Sequence, residues 1–327
     1  MFLDKIQGHA GALSLLQKQL EAGPLSGAYL FYGPRSIGKY TTAKALARFS
    51  MCTGTHDSGC RCESCRLFPN FPDYLEINDA GNTIKVEDAK NIEEFLTLAP
   101  YKAPRRVIII DDAERMNFHA SNRMLKILEE NSSNSLIFIV SSKPELLSNT
   151  VYSRTYPINF TQISIDDIIS ILKSKGVEIE KINILERYIP HLTGGIVKNF
   201  QKYLSYHTRA LKYIENFPKA EEDALLSELK ELDAEDGLEM FLEMMIIHIA
   251  DIMKIRYDYP ESVCGVSVLD RLEALVHVWS EDLCLTTNDR IGKVLKEYRR
   301  GLNLKLLPRV ETAVSWTYSF FKRDHKK

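Results

Sequence analysis

Seven residues, Gly33-Pro34-Arg35-Ser36-Ile37-Gly38-Lys39, constrain this chain more than any other stretch. They follow residues 28–32 (AYLFY), an apolar run of strand length. They open residues 39–49, where Ala43, Ala45, Leu46 and Ala47 recur at helical spacing. Such a loop must turn a strand into a helix within a few residues. Its glycines let backbone N–H groups converge, the helix N-terminus adds partial positive charge, and Lys39 can reach the outer phosphates of a nucleotide. Gly33, Gly38 and Lys39 are the candidate phosphate-binding residues. A glycine turn entering a helix without any ligand is the simpler alternative.

The next residue breaks the pattern. A hydrolysing loop of this type carries Ser or Thr there, whose hydroxyl binds Mg²⁺. Here it is Tyr40, whose bulky phenol holds its oxygen too far from the backbone. Thr41 comes one residue later, but a helix turns about 100° per residue, so that hydroxyl points elsewhere. Binding of ATP and Mg²⁺ is expected to be weak or absent, and hydrolysis inefficient.

A second motif completes the nucleotide side. Val107-Ile108-Ile109-Ile110 is a continuous β-branched run ending in Asp111-Asp112, as expected of a parallel strand covered on both faces. In P-loop ATPases the first carboxylate holds Mg²⁺ and the following acid orients water. Asp112 is one methylene shorter than the Glu often found there, and misplacement by an ångström costs about 10²-fold in rate. Alternatively, Asp111 pairs with Lys39 and Asp112 caps the next segment. Further strands are expected at 74–77, 136–140 and 156–160, with helices at 86–98 and 117–130. Strands alternating with helices make a parallel three-layer α/β domain.

Cys52, Cys60, Cys62 and Cys65 lie between the first helix and the second strand. Four thiolates in a short loop suit tetrahedral Zn²⁺. Cys60-x-Cys62 is tighter than the usual spacing, and His56 in the same loop is an alternative ligand. Four free thiols are the bland reading. Cys264 and Cys284 stand apart and read as small buried hydrophobes.

Composition excludes several classes. Among 327 residues, 42 Lys and Arg oppose 44 Asp and Glu, for a net charge of −2. That leaves no basic excess for non-specific nucleic-acid binding. The length allows roughly two to three domains. Met1-Phe2-Leu3-Asp4-Lys5 reaches an acid by its fourth residue, so no export core is expected. The most apolar stretch, residues 241–253, is broken by Glu243, His248 and Asp251; it reads as a buried helix rather than a span. No membrane association and a cytoplasmic location are expected. Beyond about residue 160 strand signals stop. Helices are expected at 164–175, 182–188 and 196–204, then a Gly-poor helical region with breaks near Pro218, Pro260 and Gly301.

Together these motifs resemble the delta-prime family of bacterial clamp-loader subunits in DNA polymerase III, which are AAA+ relatives. Ile6-Gln7-Gly8-His9 resembles the family's N-terminal nucleotide-side element, and the cysteine knuckle occupies its zinc-module position. Phe71-Pro72-Asp73 resembles its HPD. Residues 84–116 and 121–130 resemble its acidic-motif segment and the helix that follows. Ser153-Arg154-Thr155 resembles its Ser-Arg-Cys motif, with Thr in place of Cys. The resemblance implies that Arg154 projects into a neighbour's ATP site as an arginine finger, where a surface ion pair would be the ordinary reading. It also implies first-sensor and second-sensor positions at Ser141 (with Ser142) and Lys198. It is specific over about residues 1–160; beyond, residues 303–307 are only compatible with a collar.

The expected architecture is an AAA+ P-loop α/β domain at 1–162 with a parallel sheet and an inserted zinc module (52–65). A helical lid at 163–205 and an all-α collar at 206–327 follow. The implied role is that of a stator in a clamp loader, with little catalysis of its own. Its expected partners are delta and tau/gamma subunits and, through the assembly, a sliding clamp and primed DNA. Two other readings remain: an ATP-hydrolysing tau/gamma-like motor, and a zinc-containing adaptor with a vestigial P-loop.

Overall fold

The computed structural model describes residues 6–57, 59–78, 83–130, 134–192, 195–299 and 305–324. The N-terminal pentapeptide, Gly194, Gly301, residues 303–304 and the last three residues lie outside this set. The chain divides into two compact units, Met1–Asp167 and Ile168–Lys327.

Five strands form the sheet of the first unit: β1 (Gly27–Tyr32), β2 (Tyr74–Ile77), β3 (Arg106–Ile110), β4 (Ser135–Ser141) and β5 (Tyr156–Asn159). Their order is β2-β3-β4-β1-β5, and every pairing is parallel. The unbroken apolar runs have a direct cause. Val107 and Ile109 of β3 enter one core with Leu136, Phe138 and Phe31, while Ile108 and Ile110 enter another with Ile137, Ile139 and Leu30. Successive side chains point to opposite faces, so a strand covered on both sides must be apolar at every position.

Helices α1 (Ala10–Ala22) and α2 (Lys39–Met51) cover the first core. After α3 (Glu63–Leu67), helices α4 (Val86–Thr97) and α5 (Phe118–Glu129) cover the second, followed by α6 (Asn149–Ser153). Asn117 caps α5, its Oδ1 accepting the Ala120 N–H at 2.8 Å. Helix α1 is absent from the elements anticipated above. Its buried stripe is only Ala12 and Leu16, interrupted by Gly11 and exposed Leu15, which gives a weak periodic signal. Helix α7 (Ile165–Ser174) carries the unit boundary at Asp167.

The second unit is helical: α8 (Ile179–Leu185), α9 (Ile196–Asn216), α10 (Glu222–Ala234), α11 (Leu238–Arg256), α12 (Leu269–Leu275), α13 (Glu281–Arg299) and α14 (Leu306–Asp324). The lid–collar border expected at 205/206 falls inside α9. Tyr203, Tyr206, His207 and Ala210 are buried at i, i+3, i+4 and i+7, one apolar face that carries the helix through that position. Helix α11 is the buried helix expected at 241–253. Its polar residues are buried with partners: Glu243 accepts Tyr203 OH at 2.6 Å, and Asp251 accepts the Gly265 N–H and Lys254 Nζ, both at 2.8 Å. Cys264 and Cys284 are buried, as expected. No helix among the described residues is long and apolar enough to cross a membrane.

His207 and His248 pack ring to ring at 5.0 Å, with Tyr188 at 5.1 and 5.7 Å. Burial pulls His207 down to about 3 and His248 to about 4; at His207 the charges of His248 and Arg271 add to this and Asp251 opposes it, while at His248 the hydrogen bond with the His207 backbone opposes it and Arg271 adds to it. Both values lie below the unfolded reference of about 6.5, so the unfolded chain takes up protons first. Stability of this unit should fall as pH drops from about 6.5 towards 4, by about 1.4 kcal/mol per pH unit for each imidazole. Both tryptophans, Trp279 and Trp316, lie here, so denaturant titrations at pH 7 and pH 5 read by tryptophan fluorescence measure it. The pH slope should shrink in His207→Gln/His248→Gln; an unchanged slope would dismiss the pair as its source.

Candidate functional site

The loop joining β1 to α2 leaves the carboxyl end of β1. That strand lies between β4 and β5 while the chain continues to β2 at the far edge, so the loop sits where strand order switches, the usual crevice of α/β sheets. Gly33 has a φ of +141°, and a Cβ there would meet the Phe160 carbonyl oxygen at 2.0 Å, so only glycine fits. Gly38 caps α2 with a φ of +106°. His9 supports the loop from below, its Nε2 lying 2.6 Å from the Ile37 carbonyl oxygen and its ring 5.0 Å from that of Phe160.

Lys39 is buried and turned onto its own loop. Its Nζ donates to Gly33 O at 2.8 Å, Pro34 O at 2.5 Å and Ser142 Oγ at 3.1 Å. An ammonium has three protons, and these acceptors use all of them. Burial lowers its pKa to about 8, against the pull of Glu114, Asp111 and Asp112. The Lys39–Asp111 pair considered above is replaced by a chain: Lys39 bonds Ser142, whose N–H donates to Glu114 at 3.1 and 3.3 Å.

Asp111 stands at the end of β3 and accepts the Asp112 N–H at 3.0 Å. Burial, then the Asp112 charge, lifts it to about 6. Asp112 begins the 3₁₀ turn Ala113–Arg115 in a left-handed conformation, φ +46°, without a side-chain cap; its carboxylate lies 3.5 Å from Arg115 Nε.

The Tyr40 hydroxyl is committed away from the loop. It donates to Glu76 Oε1 on β2, while Tyr74 OH donates to Oε2 at 2.6 Å and Lys44 Nζ lies 3.1 Å from the same carboxylate. Lys44 also sits 4.8 Å from the Tyr40 ring centroid. This quartet ties α2 to β2 and occupies the only oxygen that Tyr40 has. Thr41 is exposed.

Of the expected site residues, the fold gathers Gly33, Gly38, Lys39, Asp111 and Asp112 around the end of the sheet. Ser141 is buried, but its Oγ accepts the Lys143 N–H at 3.1 Å; the hydroxyl that reaches Lys39 is that of Ser142. Glu114 and Glu76 were not anticipated, since their partners lie 28 and 36 residues away. Arg154 ends α6, with Nη2 2.5 Å from Glu129 Oε1 and its side chain 32% exposed. Lys198 is exposed in the first turn of α9, in the second unit.

Cys52, Cys60, Cys62 and Cys65 gather with all four sulfurs within 4.8 Å of one another. Cys52 Sγ lies 3.5 Å from Cys60 Sγ and 3.9 Å from Cys62 Sγ. Ligands about 2.3 Å from a tetrahedral zinc stand about 3.8 Å apart, so the donor set fits that ion. His56 is outside the cluster, packing on Phe49 at 5.0 Å. A Cβ at Gly54 would lie 2.6 Å from Cys60 Sγ, so the loop closes tightly on the thiols. Burial pushes Cys65 up to about 12. Against the same upward pull, hydrogen bonds from Ser64 and the Cys65 and Thr53 backbone bring Cys62 down to about 5.

A parallel sheet with the order β2-β3-β4-β1-β5, a glycine loop after β1 and carboxylates after β3 define an AAA+ P-loop unit. A DNA polymerase III gamma subunit-related protein of Thermotoga maritima shares the fold, with a TM-score of 0.51 and 19% identity over 94% of this chain and 99% of that one. The family model described as DNA polymerase III, delta subunit, matches residues 8–164. DNA polymerase III subunit delta′ of Pseudomonas aeruginosa is 34% identical over 133 residues, 39% of this chain and 40% of that protein. Subunit gamma/tau of Mycobacterium bovis is 33% identical over 161 residues, 48% of this chain and 28% of that protein. The chain thus spans well under half the length of these curated relatives. Over residues 8–164 the chain is thus similar to DNA polymerase III clamp-loader subunits, delta′ and gamma/tau among them.

Proposed function

We propose that this chain is a stator in a DNA polymerase III clamp loader. It supports ATP-dependent loading of a sliding clamp on primed DNA without turning over ATP itself. Arg154 then serves the ATP site of an adjacent tau/gamma-type subunit, a delta subunit completes the assembly, and residues 168–327 act as lid and collar. The observation that carries this reading is the fate of Tyr40: where a hydrolysing loop offers a hydroxyl to Mg²⁺, this chain spends its hydroxyl on Glu76. Lys39 adds to it, because a phosphate must first break three hydrogen bonds within the protein.

The purified chain should show no ATP hydrolysis above background, and Tyr40→Phe should change nothing. Tyr40→Thr supplies the missing hydroxyl but leaves Asp112 and the Lys39 contacts, so it should remain inactive alone. Robust turnover by the unmodified chain would replace the stator with the motor reading that its gamma/tau relatives suggest. A chain that fails to co-assemble with a sliding clamp and delta would instead support the adaptor reading.

A further inference from the structure

The four-cysteine cluster has a charge problem that its own ligands cannot solve. Zn²⁺ bound to four thiolates carries a net charge of −2, and each cysteine must release its proton to bind. A backbone N–H answers part of this: Gly54 donates to Cys52 Sγ at 3.4 Å. Two side chains complete the shell. The Arg48 guanidinium, half-buried in the last turn of α2, lines the same pocket as Cys65 and opposes the burial that pushes the Cys65 thiol up. Ser64, 3% exposed, places Oγ 3.2 Å from Cys62 Sγ and 2.8 Å from the Met51 carbonyl oxygen. Arg48, Arg61 and Arg66 line a pocket of about 550 Å³ together with Cys60 and Cys65. Three cations therefore border two of the four sulfurs, while Glu63, the nearest acid on α3, is paired with Lys102 at 2.8 Å.

We propose that Arg48 and Ser64 are positioning residues that retain the metal, Arg48 by neutralising the Cys65 thiolate and Ser64 by hydrogen bonding to the Cys62 thiolate. The inference rests on reading the cysteine cluster as a metal centre. A hydroxyl carries one proton. Ser64 donates it to Met51 O at 2.8 Å, and Cys62 Sγ at 3.2 Å is the alternative acceptor. Arg61 and Arg66 are exposed and contribute field only.

The test is zinc affinity of the full chain, measured by competition with a chromophoric chelator at fixed pH. Outer-shell partners of metal ligands typically change affinity by about 10–100-fold. Arg48→Met and Ser64→Ala should each weaken zinc binding by that factor. Arg48→Lys, which restores the charge, and Ser64→Thr, which restores the hydroxyl, should recover most of it. The thermal midpoint of the metal-free chain should be the same for wild type and variants, which separates retention of the ion from a folding defect. Arg61→Ala/Arg66→Ala should change affinity little. Zinc held as tightly by Arg48→Met and Ser64→Ala as by wild type would overturn the inference alone. A wild-type chain that takes up no zinc would overturn the metal centre beneath it.

Discussion

Replacing Arg154 with Ala should lower ATP hydrolysis by the reconstituted loader by about 10³-fold or more while leaving this chain folded. The first half rests on the proposed in-trans role; the second follows from where the residue sits. It makes one ion pair, with Glu129, whose side chain is 53% exposed, and two long hydrogen bonds, to Thr150 O at 3.4 Å and Ser153 Oγ at 3.3 Å, at the end of a five-residue helix. Pairs this exposed contribute about 0–1 kcal/mol, so thermal unfolding should barely change. A guanidinium reaching a transferring phosphate, by contrast, offers a planar pair of donors to developing charge. Lysine is a point charge without that fork, so Arg154→Lys should fall nearly as far. Unchanged turnover in a loader carrying Arg154→Ala would remove the in-trans role and leave Arg154 as a surface ion pair.

Stripping the metal is the second large perturbation. The knuckle has almost no core of its own: among the described residues its apolar cluster is Cys52, Cys60 and Cys65, with Phe49 and Cys62 packed against them. An ion that organises so small a cluster contributes its binding energy directly to local folding, on the order of 10 kcal/mol in zinc-finger peptides. The chain should carry one zinc, and Cys52→Ser should lose it. Chelation should accelerate amide exchange over residues 52–67. The sheet should keep its protection, because Ile108, Ile137 and Ile139 are fully buried with helices over both faces. Equal exchange in metal-free and metal-loaded protein would show that the cysteines do not depend on an ion.

Both experiments turn on residues that were visible in the sequence, but for different reasons. The four cysteines fall within fourteen residues, so chain connectivity alone brings them close. Arg154 was visible only through a resemblance, and its neighbour Glu129 comes from α5, 25 residues earlier. The nucleotide side divides in the same way. Gly33 to Lys39 is contiguous, and the loop's geometry was readable in it. That the Tyr40 hydroxyl ends on Glu76, and that Ser142 rather than Ser141 meets Lys39, was not, because these contacts join α2 to β2 and to the end of β4, far apart in the chain. Likewise the histidine pair of the second unit is formed by α9 and α11, and no local spacing announces it.

What the amino-acid order settles unaided is therefore whatever is written in consecutive residues: a sheet buried on both faces, because Val107 to Ile110 and Leu136 to Val140 offer no polar side; a glycine turn from strand to helix over Gly33 to Lys39; and a thiol cluster closed by a short loop. What only the assembled fold decides is where the flexible polar ends go. Tyr40, Lys39 and Arg48 are long side chains with several reachable partners. The choice among them is made by strand order and burial, which leave the Lys39 and Tyr40 donors with the acceptors that packing has brought within about 3 Å.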